Sequence, residues 1–584
     1  MNKENLEIIR HSLSHVMMQA LENLYKAIPG VGPAIDDGFY HDFDADYQVT
    51  ETDLPKIEKQ MKRIIKQNLK IEKKTMPIDE GIKFLSDKGY KYTFELAVDL
   101  KAEGETEISF YEQSLPTKAG GEPDFINMCK GPHLESTGKI PIDAFKLTKV
   151  AGAYWKGDEK NKMIQRIYGV AFENKKELDE YLQMMEEAEK RDHRKIGKEQ
   201  ELFSFHEEGP GFPFFKPKGM VIWNELINYW QKKHSQAGYG ETKTPVMLSR
   251  KLWETSGHWE NYRENMYETV IDDMEFAIKP MNCPGGMLMF NEEMHSYREL
   301  PLRWAEIGLV HRHELSGVLA GLFRVRSFHQ DDAHIFMTEG QIKEEILGVL
   351  KLADEIYSAF DLTYNLELST RPAKSIGSDK EWEAATNGLK EALEAYGKKY
   401  QINEGDGAFY GPKIDFHIKD AIGRTWQCGT VQLDMNLPAR FDLNYIDSDN
   451  NKKRPVMIHR VIYGSLERFL GILVEHYAGA FPVWLSPVQV KLVAVSEKHV
   501  EYCQKIADEF RQEDIRIEVD ISNETVGNKI RKAIGEKVPY MLVIGDKEMS
   551  SENLNIRDRG EKETREISKD EFIVEIKKKI EDKK

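Results

Sequence analysis

The sequence predicts an α+β chain of several domains, with an antiparallel sheet flanked by helices at its centre and a smaller α/β domain at either end. Three observations carry that expectation. The chain has 584 residues, too many for one hydrophobic core when a domain commonly takes about 100–200. Two strand-like pieces, "LVHRHEL" and "FRVRSFHQDDAHIF", flank a loop running from Gly317 to Gly321, the pattern of an antiparallel hairpin. Near the end, "VQVKLVAVS", "RIEVDIS", "PYMLVIGD" and "NLNIRDRG" alternate with helical segments, as in a small domain built on one sheet.

Residues 1–173 mix short strands, "DGFYHDF" and "EISFYEQ", with amphipathic helices. Within them Lys56–Lys74 is dense in Lys and Arg, while Ile57, Met61, Ile64, Ile65 and Leu69 recur at helical spacing. This reads as a helix with a buried stripe and a solvated basic face. Residues 174–203 begin at a capping residue type, Asn174, and are rich in Glu and Lys with Leu178, Leu182 and Met185 on one face, which predicts a helical linker. The turn-rich "EEGPGFPFFKPKG" opens the large segment 204–484, which "FPVWLSPVQV" closes. Residues 485–584 form the terminal domain.

A formal charge of −17 argues against a broadly basic nucleic-acid surface and leaves room for a local one. No apolar run reaches the roughly 18 residues of a membrane helix; the nearest, "FLGILVEHYAGAFPVWL", carries Glu475 and His476. The opening "MNKENLEIIRHSLSH" has neither a signal core nor a transit-peptide composition. Cys129, Cys283, Cys428 and Cys503 are scattered and make no disulfide framework, so a cytoplasmic protein with no membrane partner is expected.

As a single strand, residues 323–336 would place Arg324, Arg326, Phe328, Gln330, Asp332 and His334 on one face. That face is no core, and the opposite one, Val325 to Ile335, alternates poorly. The hairpin partner brings Arg312 and Glu314 alongside. Guanidinium forks hold phosphate and stay charged, Phe328 offers a ring to stack a base, and Glu314 can accept from an exocyclic amine. The hairpin reads as an ATP clamp without a P-loop, since no G-x-x-x-x-G-K-[ST] occurs.

An Arg, a loop and F-R-x-R-x-F resemble motif 2 of class II aminoacyl-tRNA synthetases; "YGSLERFLGILVEHYAG" resembles motif 3, and "YGETKTPVM" with Pro245 resembles motif 1, the dimer-forming element. With "KPMNCPGG", "QDDAHIF", "GAFYGPKIDF", "WQCGTVQLD" and "PVMIHR", the chain resembles the threonyl-tRNA synthetases over essentially its whole length. The resemblance implies a class II catalytic domain at 204–484 and a Zn²⁺ held by Cys283, His334 and His459, binding the amino and hydroxyl groups of threonine. It implies that Asp332, Gln330, Tyr410, Gln427 and Ser465, with Lys413 and Gln432 nearby, line the amino-acid pocket. Arg312 would hold the α-phosphate, Arg324 the γ-phosphate and Glu314 the adenine amine; Phe328 and Arg468 would sandwich the ring, with Mg²⁺ on the pyrophosphate.

Discrimination then follows from chemistry. A site satisfied only by a hydroxyl rejects valine by roughly four to five powers of ten, whereas serine lacks one methyl, worth about 1–3 kcal/mol, and needs a second, hydrolytic site. At the front, His11 and His15 are four apart and Cys129 and His133 repeat that spacing, which by itself is also a plausible metal tetrad. The resemblance implies an editing domain there that hydrolyses mischarged seryl-tRNA, with Lys91 and Asn127 beside those four positioning a water directly. Asn127 stands where the family pattern has Asp, and Asn is no base. The chain also opens at the editing domain, without the ubiquitin-like domain of many bacterial relatives.

The tail resembles an anticodon-binding domain, with Asn523, Glu548, Arg557 and Arg559 at base-contacting positions and Lys537 where Arg is usual. The partners implied are threonine, ATP, threonine tRNA and a second copy in a homodimer. Two rivals are a synthetase for another amino acid, against which Cys283, His334, His459 and Asp332 stand together, and a synthetase-like RNA-binding regulator, which would need no ATP clamp.

Overall fold

The computed structural model describes residues 3–115 and 123–584, in two compact units, Met1–Glu186 and Glu187–Lys584. In the first, helix Lys3–Tyr25 packs on strand Gly38–Asp44 and on helix Leu54–Lys66. That strand pairs antiparallel with Met163–Ala171, which pairs with Phe145–Tyr154. A second antiparallel sheet joins Lys70–Pro77, Glu107–Ser114 and Phe125–Met128. Helix Leu54–Lys66 is amphipathic, with Ile57, Met61, Ile64 and Ile65 buried and Lys56, Lys59, Arg63 and Lys66 exposed, but it is shorter than the helix expected over Lys56–Lys74: Leu69 is buried beyond its end and Lys70–Pro77 is a strand.

The segment 174–203 forms two helices rather than one. Helix Lys175–Lys190 starts where Asn174 Oδ1 accepts from Glu177 N at 3.1 Å, and Leu178 is its buried residue. A break at 191–192 follows, and Asp192 caps helix His193–Glu199 by accepting from Arg194 N at 2.8 Å.

The second unit is built on an eight-stranded sheet. Six strands run antiparallel in the spatial order Leu302–His311, Ser327–Met337, Val456–Val461, Thr425–Asp434, Lys413–Lys419, Thr363–Ser369. Two short parallel strands, Gly240–Glu241 and Tyr400–Asn403, close its edges. Apolar faces of helices Pro217–Gln236, Ile342–Ser358, Asp379–Tyr396 and Leu466–His476 cover it, with Trp230, Tyr357, Phe469 and Trp484 in one core.

The stretch 323–336 is not one strand. Pairing starts at Ser327, opposite His311, so Arg324 and Arg326 precede the strand and Arg312 and Glu314 follow its partner. The hairpin still closes there, through Arg312 N donating to Arg326 O at 2.9 Å. Arg326 does not share the face of Phe328: it donates to Glu314 O at 2.9 Å and Pro210 O at 3.1 Å and braces the loop.

The terminal domain has a mixed five-stranded sheet, Ile517–Asp520, Val490–Ala494, Tyr540–Ile544, Asn553–Asp558, Arg565–Ser568, the first three parallel and the last two antiparallel. The fifth strand has no clear apolar alternation in the sequence. Arg516 ties this domain back to the sheet domain by donating to Glu225 at 2.8 Å and Trp484 O at 2.6 Å. No helix among the described residues is long and apolar enough to cross a membrane, and the four cysteines are free.

Candidate functional site

The poorly alternating face of strand Ser327–Met337 has a structural use. Asp331, fully buried, accepts from the backbone N–H of Ile462, Tyr463 and Gly464, each at 2.9 Å. These bonds fix the turn into helix Leu466–His476, where Gly464 has φ +83° and an added Cβ would lie 2.6 Å from Cys428 O. His329 donates its backbone N–H to Glu467 Oε2 at 2.9 Å, and its Nδ1 lies 3.0 Å from Oε1. Strand and helix are thus bolted together, leaving the even positions free to face a cleft.

Arg312, Glu314, Arg324, Phe328, Gln330, Gln427, Ser465 and Arg468 line that cleft together. Ser465 caps the helix by accepting from Arg468 N at 3.1 Å, and the Arg468 guanidinium donates to Gln427 O at 3.0 Å. Arg324 and Glu314 pair at 2.9 Å. The Arg312 guanidinium is held by Pro280 O at 3.2 Å and stands 5.2 Å from the Phe328 ring centre. This surface offers three guanidinium groups, an aromatic face and a carboxylate, as a nucleotide requires.

A second pocket adjoins it, lined by Cys283, Asp332, Tyr410, Gln432 and His459. Arg312, Gln330, Thr430 and Val461 belong to both walls. His334 and His459 face each other across the ladder, their ring centres 5.1 Å apart, and Cys283 approaches from the first turn of helix Cys283–Phe290. One ligand atom from each lies within 4.8 Å of the others.

The donor set fits Zn²⁺. His334 Nε2 is buried without a hydrogen-bond partner, and burial lowers this ring to about 4, so it is neutral at pH 7. His459 Nε2 sits 2.9 Å from Asp434 Oδ2, the carboxylate-imidazole arrangement that orients a metal ligand. Burial, then Asp332 and Asp434, raise the Cys283 thiol well above its ordinary value, an opposition that a bound dication reverses. Asp332 is held by Asn282 Nδ2 at 3.2 Å. Lys413 is instead paired with Asp415 at 2.8 Å.

In the first unit His11, His15, Cys129 and His133 also converge within 4.8 Å. Cys129 Sγ lies 3.2 Å from His11 Nε2 and 3.4 Å from His133 Nε2. Burial lowers all three imidazoles, His15 well below its ordinary value and His133 to about 3, and raises the thiol. The groups are therefore neutral at pH 7. Asn127 is buried, and its Oδ1 has no hydrogen-bond partner. Lys91 is not gathered with them: it is exposed at the start of helix Lys91–Ala102, its ammonium 5.5 Å from the Tyr92 ring centre.

Of the four tail residues, Asn523 is exposed. Glu548 accepts from Gly545 N at 3.0 Å and Arg557 donates to Glu561 O at 2.8 Å. Arg559 donates to Phe481 O at 2.7 Å and Lys537 O at 2.9 Å. Sequence reasoning overlooked Asp331, Asp434, Glu467 and Asn282. The pairing of a ligating His with a carboxylate was a signal for Asp434, which ends the quoted "WQCGTVQLD"; the others needed the register.

Comparison with known proteins adds three family matches. Residues 267–477 match the tRNA synthetase class II core domain (G, H, P, S and T), 489–579 an anticodon binding domain, and 118–168 the threonyl and alanyl tRNA synthetase second additional domain. A threonine-tRNA ligase of Clostridium botulinum (strain Langeland) is 57% identical over 576 residues, 98% of this chain and 89% of its own length. That of Carboxydothermus hydrogenoformans is 57% identical over 582 residues, 100% of this chain and 90% of its own. A solved structure titled as the RNA binding domain of Cryptosporidium parvum threonyl-tRNA synthetase is 41% identical, with a TM-score of 0.64 over 66% of this chain and 98% of that one. The putative threonyl-tRNA synthetase ThrRS-1 of Aeropyrum pernix is 31% identical, with a TM-score of 0.59 over 67% of this chain and 97% of that one.

Proposed function

The chain belongs to the threonine-tRNA ligases, class II synthetases that carry an editing domain, and on that premise we propose how its residues divide the reaction. Threonine is activated by attack of its carboxylate on the α-phosphorus of ATP, releasing pyrophosphate, and the aminoacyl group then passes to the 3′ end of the tRNA. The observation that carries the residue assignment is the wall shared by the two pockets, with Arg312 in it. A group there can donate to the α-phosphate while the carboxylate arrives from the other side, stabilising charge where it develops. Arg324 holds the γ-phosphate, Glu314 the adenine amine, and Phe328 and Arg468 stack the ring. Mg²⁺ accompanies the pyrophosphate.

Cys283, His334 and His459 hold Zn²⁺, which when bound offers a Lewis-acid position to the threonine amine and hydroxyl. Asp332 receives the ammonium and Gln330 and Tyr410 complete the walls, whereas Gln427 and Ser465, expected beside them, line the nucleotide cleft instead. Threonine-dependent ATP–pyrophosphate exchange, run beside serine and valine, tests this: strong exchange with threonine, weaker with serine and none with valine is expected. No exchange with any amino acid overturns it. Metal analysis should find zinc bound in the wild type and in Cys129→Ser, and lost in Cys283→Ser.

Editing uses the neutral imidazoles of His11, His15 and His133 with Cys129 and Asn127 to hold a water at the seryl ester. On this reading residues 1–173 carry editing, 174–203 the linker, 204–484 catalysis and 485–584 anticodon binding. Asn523, Glu548, Arg557 and Arg559 face the anticodon. A homodimer is supported by exposed apolar side chains on the hairpin 267–278, Val270 at 65% and Met274 at 58% exposure, and sedimentation of Val270→Glu should show monomers. Four free thiols suit the cytoplasm. The reading as an RNA-binding regulator has no supporting observation beside an assembled ATP cleft.

A pH prediction attaches to the first unit. Burial lowers His41 to about 4 and His133 to about 3, both below the ordinary 6.5 of an unfolded chain. A depressed folded value means stability is complete above about pH 6.5 and is lost as pH falls toward 4. Thermal denaturation should show a melting temperature flat from pH 8 to 7 and falling below 6.5, the fall being shallower in His41→Leu.

A further inference from the structure

His193 lies outside both clefts, yet its contacts lead to one of them. It is 2% exposed, in the first turn of helix His193–Glu199. Its Nε2 lies 3.0 Å from Leu322 N, which donates to it. A backbone N–H can only donate, so Nε2 carries no proton, and Nδ1 must then carry one. Nδ1 is 2.7 Å from Glu475 Oε1, which also accepts the backbone N–H of His193 at 3.0 Å. Both ring nitrogens are thereby used, so the grouping of Asp192, His193 and Glu475 has no imidazole nitrogen to spare for a metal.

The other end of the contact is the loop that enters the nucleotide cleft. Gly321 has φ +53°, and a Cβ there would lie 2.2 Å from His193 Nε2, so the close approach requires glycine. Phe323, two residues on, packs at a tilt between His193 and Trp426, with ring centres 4.1 and 4.3 Å away, and it lines the cleft beside Arg324. Glu475 also binds Arg424, which pairs with Asp420 at 2.7 Å; Asp420 holds Trp426 Nε1 at 3.0 Å, next to Gln427. His193 is the common support of the loop before Arg324 and of the strand end before Gln427.

We propose that His193 is a positioning residue that holds the Leu322–Phe323 segment so that Arg324 is presented to the nucleotide, an inference resting on the ATP-cleft reading above. It touches no substrate and acts through the loop. Losing its acceptor leaves Leu322 N–H buried and unpaired, a penalty relieved when the loop moves out. Nucleotide binding then suffers most, because the contacts of His193 reach the loop before Arg324 and the start of strand Thr425–Asp434, while Cys283, Asp332, His334 and His459 stand on helix Cys283–Phe290 and on the paired strands Ser327–Met337 and Val456–Val461.

The test is ATP–pyrophosphate exchange by the full chain, with separate titrations of ATP and threonine. His193→Leu should raise the KM for ATP about tenfold and leave kcat and the threonine KM within about twofold. His193→Gln, whose amide both accepts and donates, should restore the ATP KM. Should the leucine variant not fold, Gly321→Ala decides, since it keeps His193 and displaces the loop; the same rise in ATP KM is expected. Arg324→Ala separates the two ideas. A raised ATP KM there, with normal values in His193→Leu and Gly321→Ala, overturns the positioning role and spares the cleft. An unchanged ATP KM in Arg324→Ala removes the cleft reading and the inference with it. Equal losses in ATP KM, threonine KM and kcat would mark a general structural role and also overturn the proposal.

Discussion

Arg312→Gln should lower threonine-dependent ATP–pyrophosphate exchange about a thousandfold in kcat, with a melting temperature close to wild type. The argument is positional. Arg312 stands in the wall common to the nucleotide cleft and the pocket of Cys283 and His459, where the attacked phosphorus must lie if both substrates are bound. Removing one well-placed donor from a developing oxyanion typically costs about two to three powers of ten, and this donor is also charged. Stability should change little, since among the described residues the guanidinium makes one hydrogen bond, to Pro280 O at 3.2 Å. Arg312→Lys keeps the charge but loses the fork, and should recover about tenfold of the loss. Steady-state exchange with all three proteins checks this, and a fall smaller than tenfold in Arg312→Gln would remove Arg312 from the assignment.

Stripping the metal, or replacing Cys283 by Ala, should abolish selectivity for threonine over valine. With the site intact the hydroxyl must be satisfied, and rejection of the shape-matched valine should reach roughly 10⁴- to 10⁵-fold. Without it the pocket can distinguish the two only by polar side chains such as Asp332 and Gln432, and the ratio should fall below about a hundredfold, with threonine exchange itself reduced about a thousandfold. Exchange by chelated enzyme, and its recovery on adding zinc, measures both. A chelated enzyme still rejecting valine by four powers of ten would place the discrimination elsewhere. Serine behaves differently because it keeps the hydroxyl: its rejection should lie near a hundredfold in the intact enzyme, which is why a separate hydrolytic cluster is chemically required.

Much of this was readable from residue types and spacing. The buried stripe of helix Leu54–Lys66, the hairpin, the polar linker and the strands of the terminal domain follow from periodicity, because side-chain burial obeys the same periods of 3.6 and 2 that the sequence displays. The convergence of Cys283, His334 and His459 and of the cleft-lining Arg312, Arg324 and Arg468 was legible through motif order, since the first three are 51 and 125 residues apart and no local rule joins them. What stayed hidden was what supports them. Asp331 looks from sequence like a polar intrusion in a strand, and only the adjacency of Ser327–Met337 to the turn at 462–464 shows its carboxylate meeting three backbone N–H groups. Arg326 was misplaced for a related reason: period-2 reasoning presumes a continuous strand, and the strand begins one residue after it. Lys91 was drawn to the editing cluster by its surrounding residues, while the fold leaves it on the surface.

The direct pairing of His334 with His459 across neighbouring strands sets a rule for how this chain can change over generations. Two rings on opposed rungs share a face only while the ladder keeps its alignment, and a shift of one rung turns one ring to the other side of the sheet. The 118 residues from 338 to 455 can therefore lengthen or shorten in their loops with little consequence for the juxtaposition of the two rings. A single residue gained or lost inside either pairing segment, 333–337 or 456–460, should instead erase metal binding and sheet alignment together, making insertions between strands the tolerated form of variation and insertions within them the lethal one.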